Sequence, residues 1–132
     1  MTEYSKSENQ RLRPLVLVVD AELLVAELSC EALIDVGIDA IPFNSTHRAI
    51  DFLVSGNDAD IVVIDVAMHV GTLSGWNLVN RLSLTWPHIK QLIVTSSGIP
   101  SNQKQIESGF FLVKPYQLSE LARMVKILLY SS

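Results

Sequence analysis

Ile61-Val62-Val63-Ile64-Asp65 decides how this chain is read. Four consecutive apolar residues with no polar alternation suit a strand buried on both faces, the situation of a parallel sheet covered by helices on either side. The run then ends on a carboxylate. Unshielded carboxylates rarely cap a buried strand unless something cationic or phosphorylated meets them there. Asp65 is therefore the residue from which function is argued.

Outward from that run the same pattern recurs. Leu15–Val19 is a continuous apolar run ending at Asp20. Ile38–Phe43 reads as the second strand, and Pro42 inside it removes a ladder donor, which places it at a sheet edge. Gln91–Val94 leads to Thr95, and Phe110–Val113 leads to Lys114. Helical stretches fill the intervals. Residues 22–36 carry Glu27, Glu31 and Asp35 on one stripe and stop at Gly37. Ser45 caps a helix bearing Ala49, Ile50, Phe52 and Leu53, which Gly56 ends. A Gly-containing loop over 69–75 leads to a helix with Trp76, Val79 and Leu82, stopped before Pro87. Residues 100–108 are polar and predict a short or mobile fourth helix. Residues 118–129 form the last helix, with Leu118, Leu121, Ala122, Val125 and Leu128 inward.

Strand and helix alternate five times, and right-handed crossovers turn such a chain into an α/β fold, a doubly wound open five-stranded parallel sheet. The 132 residues suffice for one domain with a real core, expected over 13–132, after a loose polar tail over 1–12. Hydrophobic content of 48% against 18% charged residues fits a sheet buried on both faces. A net charge of −4 without a basic cluster argues against nucleic acid as a ligand. No apolar run approaches the ~18–20 residues of a membrane span, and the polar N-terminus lacks a signal-peptide core. The single cysteine, Cys30, excludes an intrachain disulfide and reads as a packed core thiol, so a reduced cytoplasmic setting is expected.

In an open α/β sheet, ligands bind at the carboxyl ends of the strands where the strand order reverses. That rule gathers Asp20, Asp65, Thr95 and Lys114 into one crevice, a set able to hold a metal ion and a phosphoryl group. Each has a plainer reading: Asp20 as a helix N-cap, Lys114 as a surface lysine, Thr95 and Ser96 as turn formers, Phe111 as core. His69 reads as a solvated loop histidine, His47 and His88 lack metal-ligand spacing, and Trp76 and Trp86 read as packing residues.

The run Val16-Leu17-Val18-Val19-Asp20-Ala21-Glu22, the strand ending at Asp65, Thr95-Ser96 and Phe111-Leu112-Val113-Lys114-Pro115 resemble, in order, the CheY-like receiver domains of bacterial response regulators. Trp86-Pro87-His88-Ile89-Lys90 and Lys114-Pro115-Tyr116 look like a subgroup common in single-domain regulators. The resemblance implies a flavodoxin-like (βα)5 sheet in the order 2-1-3-4-5. By it, Asp65 accepts a phosphoryl group from a kinase phosphohistidine, Lys114 pairs with that group, and Thr95 donates a hydroxyl to it. Phe111 stands at the aromatic switch position, and a cis Lys114–Pro115 bond is expected. Magnesium would be bound by Asp65, by Asp20 through water, and by the backbone carbonyl of Ala67. Such domains normally carry two adjacent acids after the first strand, and here Ala21 replaces the one that ligates the metal directly. Magnesium should therefore bind weakly, with Glu22 as a substitute ligand. His69 stands where proline is frequent, and the segment through Gly75 looks one residue long.

The implied partners are a sensor histidine kinase or phosphotransfer protein and a downstream protein target, with dimerisation through the last helices as a further route and no membrane. The chain ends soon after its last helix, so no output domain is expected. It is read as a switch rather than an enzyme, catalysing at most its own phosphorylation and dephosphorylation. The alternative is a phosphorylation-independent pseudo-receiver acting as an interaction module. A flavin carrier would need a Ser/Thr- and Gly-rich loop where Ala21-Glu22-Leu23-Leu24 stands, and an aspartate-based phosphatase would need an acid at Ala67.

Overall fold

The computed structural model describes residues 13–67, 69–70, 73–96 and 109–130. In chain order its elements are β1 (Leu15–Val19), α1 (Leu23–Ile34), β2 (Asp39–Phe43), α2 (Thr46–Val54), β3 (Ile61–Asp65), β4 (His69–Val70), β5 (Leu73–Ser74), α3 (Gly75–Thr85), β6 (Lys90–Thr95), β7 (Gly109–Val113) and α4 (Leu118–Tyr130). Five strands form one sheet in the order β2-β1-β3-β6-β7. All its pairings are parallel, with Val19 opposite both Phe43 and Ile64, and Asp65 opposite Val94. Counted along the sheet strands alone this is the expected 2-1-3-4-5 order. Pro42 pairs only with Val18 on the edge strand β2, where its missing N–H leaves no inner ladder short of a donor.

Because strand side chains alternate between faces, each apolar run feeds two cores. Leu15, Leu17, Val19, Val62, Ile64 and Ile93 pack with Ala49, Leu53, Leu78 and Leu82 of α2 and α3. Val16, Val18, Ile61, Val63, Leu92 and Val94 pack with Ala26, Cys30 and Leu33 of α1 and with Leu121, Val125 and Leu128 of α4. Burying one such leucine or isoleucine stabilises by about 1.5–3 kcal/mol. Both tryptophans are partly buried against the α2–α3 core, as packing residues. Cys30 is free and buried, and desolvation, reinforced by the charge of Glu27, pushes its thiol pKa up to about 12. A thiol held protonated in this way is inert.

The helix boundaries follow from local chemistry. Gly37 and Gly56 follow α1 and α2 with φ of 88° and 99°, a conformation that costs L side chains strain. The Ser45 hydroxyl accepts from the Arg48 N–H at 3.3 Å, as its capping role requires. Ser74 and Asn77 form a reciprocal capping box at the start of α3.

Three expectations are corrected. The stretch over 69–75 is not simply a loop: β4 and β5 pair antiparallel, and Gly75 already belongs to α3. Two-residue strands are too short to show a period of two, so no sequence pattern betrays them. Leu118 does not join the core but is 39% exposed, at the wall of the cleft beside Lys114. The second strand begins at Asp39 rather than Ile38, although Ile38 is buried. The expected tail over 1–12 and the expected helix over 100–108 lie outside the described residues.

Candidate functional site

Parallel pairing sends the carboxyl ends of β1, β3, β6 and β7 to one edge, and backbone hydrogen bonds continue past the strand ends to hold the residues there. The Asp20 N–H donates to the Phe43 carbonyl at 3.0 Å, the Val66 N–H to the Val94 carbonyl at 3.0 Å, and the Lys114 N–H to the Thr95 carbonyl at 2.8 Å. Asp20 and Asp65 therefore face the same opening from adjacent strands. Lys114 starts two strands from Asp65, roughly 10 Å at ordinary strand spacing, and its four-carbon stem spans the gap.

The Lys114 ammonium donates to Asp65 Oδ2 at 3.0 Å and to Asp20 Oδ2 at 3.2 Å. The remaining carboxylate oxygens take backbone donors: Asp65 Oδ1 accepts the Ala67 N–H at 3.0 Å, and Asp20 Oδ1 accepts the Glu22 N–H at 2.9 Å. Asp20 is 3% exposed and Asp65 7%. That degree of burial makes an unpaired carboxylate expensive and a bridging ammonium correspondingly valuable. For Lys114, burial pulls the pKa down, but the hydrogen bond to Asp65, the charge of Asp20 and the remaining contacts with the two carboxylates outweigh it, and the net shift is upward. On the α1 side Lys114 also borders a cleft of about 300 Å³ with Val25, Leu28, Pro115, Tyr116 and Leu118 on its walls. The lysine stem thus lies along apolar surface while its head meets the carboxylates.

Of the residues singled out in the sequence, Asp20, Asp65 and Lys114 are brought into direct contact. Thr95 is buried at the end of β6, between β3 and β7, and its carbonyl holds Lys114. Phe111 is half-buried, sits opposite Ile93 and packs on the α2–α3 face. Ala67 joins through its N–H. Glu22 is exposed and reaches Asp20 through its backbone, not its carboxylate. The Lys114–Pro115 bond is cis. The His69 side chain lies outside the described residues.

One residue was missed. A Cβ on Gly75 would collide with the Asp65 carbonyl oxygen and with Val66 Cα, so this glycine lets α3 start directly against the Asp65 backbone. The available signal was a glycine just after a capping serine, at a helix start where freedom of φ is not needed.

The donor set fits magnesium poorly. Among the described residues no group of three His, Cys, Asp or Glu is assembled that could hold a metal ion. Magnesium demands several hard oxygens in near-octahedral array. Here there are two carboxylates, each sharing one oxygen with Lys114 and the other with a backbone N–H.

An open parallel sheet with a carboxylate pair and a lysine at its carboxyl edge defines a receiver-type α/β module. No family model matches the chain. It is similar to a two-component response regulator of rice, Oryza sativa subsp. indica, with 28% identity over 118 residues, 86% of this chain and 96% of that protein. Among solved structures it is similar to the receiver domain of the Francisella response regulator 1452, at 28% identity and a TM-score of 0.75, covering 88% of this chain and 96% of that one. A response regulator from Thermotoga maritima gives 26% identity and a TM-score of 0.74 over 91% of this chain and the whole of the other. The chemotaxis protein CheY4 of Vibrio cholerae, at 18% identity and a TM-score of 0.75 over 88% of this chain and 98% of that one, shares the fold. The chain has the CheY-like receiver fold, and over most of its length it is similar to response regulators of two-component signalling. The likeness extends to a plant protein and is not confined to bacteria. Among the described residues no helix is long and apolar enough to cross a membrane.

Proposed function

We propose that this receiver domain, residues 13–132 with residues 1–12 outside it, is a phosphoacceptor switch in which Asp65 takes a phosphoryl group from the phosphohistidine of a sensor histidine kinase or phosphotransfer protein. The observation that carries the reading is the Lys114 ammonium 3.0 Å from a buried strand-end carboxylate. An Asp65 oxygen attacks phosphorus, and the new O–P bond forms as the N–P bond to the donor imidazole breaks. The imidazole leaves with the electron pair and is protonated by solvent. Lys114 neutralises charge on the transferred group, and the Thr95 hydroxyl, from the neighbouring strand, donates to one of its oxygens. Drawing in Thr95 and Lys114 would repack the face carrying Phe111, and a downstream protein reads that change. The chain acts as a switch, with no turnover of a separate substrate, in a reducing cytoplasmic compartment. A magnesium ion held weakly by Asp65, Asp20 and the Ala67 carbonyl, with Glu22 as substitute ligand, would add neutralising charge; none of the steps above depends on it.

Incubation with a small phosphodonor and magnesium tests the reading. The expected result is the mass of one phosphoryl group added at Asp65 and absent in Asp65→Asn. A folded protein that stays unmodified at saturating donor would sink it. Ala21 favours a second reading, a phosphorylation-independent interaction module. On that reading Asp65→Asn binds its protein partner as the wild type does.

A further inference from the structure

The two carboxylates of the pocket already share a cation. Lys114 Nζ lies 3.2 Å from Asp20 Oδ2 and 3.0 Å from Asp65 Oδ2. An ion bridging those same two oxygens would have to stand where the ammonium stands. A divalent ion added beside it would meet a fixed positive charge within a few ångströms, and in a buried pocket that repulsion is weakly screened. The formal charge of the cluster points the same way. Two carboxylates and one ammonium sum to −1, whereas a third carboxylate at Ala21 would leave −2, the charge a divalent ion balances. Lys114 is also anchored at its backbone by the 2.8 Å hydrogen bond to the Thr95 carbonyl, so its head stays near both acids.

We propose that Lys114 is the resident cation of this pocket in place of a divalent metal: lysine and magnesium compete for Asp20 and Asp65, and in the resting protein the lysine holds them. The loss of an acid at position 21 and the lysine bridge are then two halves of one arrangement. Without a third carboxylate the lysine leaves the pocket at −1, short of the charge that a divalent ion balances.

The test is calorimetric titration of the full chain with magnesium chloride alone, so its result is independent of whether Asp65 accepts phosphate. Wild type should show no saturable binding at millimolar magnesium. Lys114→Met, checked for folding by circular dichroism, should bind at least about tenfold tighter than wild type, since the competing ammonium is gone. Ala21→Asp changes an exposed residue and serves if Lys114→Met does not fold. In it, magnesium should bind and displace the lysine, seen as a shift of the Lys114 side-chain ammonium resonance. The proposal is overturned if wild type and Lys114→Met bind magnesium equally well. It also fails if the metal binds Ala21→Asp while the Lys114 resonance stays in place.

Discussion

At the amino edge of the sheet, Asp60 Oδ2 accepts the N–H of Leu15 at 2.8 Å, while Asp58 Oδ1 accepts the Ala59 N–H and lies 2.8 Å from His88 Nε2. At the carboxyl edge, Asp20 and Asp65 meet Lys114. Each edge thus sets aspartates beside a basic side chain. The difference lies in burial and in what the charges do. The His88 side chain is 52% exposed and that of Asp58 21%, and their pair is of the solvent-screened kind that adds little. The side chains of Asp20 and Asp65 are 5% and 10% exposed, and one ammonium serves both. Acidic residues at a strand end are therefore a structural staple where water reaches them and a buried cluster held by a cation where it does not.

The sharpest way to break the contrast is to push on the carboxyl edge from behind. Gly75→Ala drives a methyl group into the Asp65 carbonyl and should cost about 3 kcal/mol in denaturant unfolding, with phosphorylation at Asp65 falling as the strand end shifts. Next comes Lys114→Met, which strands two buried carboxylates and should cost roughly 1–3 kcal/mol at neutral pH. The upward shift of the Lys114 pKa sets the sign of its pH dependence. The lysine contribution is fully present below its ordinary value of 10.5 and lost as pH rises through its raised value, so the stability gap between wild type and variant should close only in strong alkali. A gap that closed near neutrality would mean the lysine does not hold the acids.

The amino edge should respond less. Asp60→Ala leaves the buried Leu15 N–H without its carboxylate acceptor and should cost about 1 kcal/mol, while Asp60→Asn, which retains an acceptor oxygen, should cost less. His88→Ala should lie within about 0.5 kcal/mol of wild type, and added salt should hardly change that. A His88 variant as destabilised as Lys114→Met would erase the distinction between the two edges.

Much of the fold was legible because it rests on near neighbours. Apolar runs without alternation announced strands covered on both faces, Pro42 announced the edge, and Ser45, Gly37 and Gly56 announced helix ends. The β4–β5 hairpin was not legible, because two-residue strands carry no periodic signal. Leu118 misled because its spacing matches the inward residues of α4 while its side chain lines an open cleft. At the site, the residue types at the strand ends were readable, but not the closeness of Gly75 to the Asp65 carbonyl. That contact joins residues on either side of the hairpin.

By itself the sequence determined which segments are buried and which polar residues stand at their ends, since both follow from patterns a few residues long. Only the tertiary structure decided that one ammonium reaches two carboxylates 49 and 94 residues away. That outcome depends on strand order and register across the sheet, which no local pattern encodes.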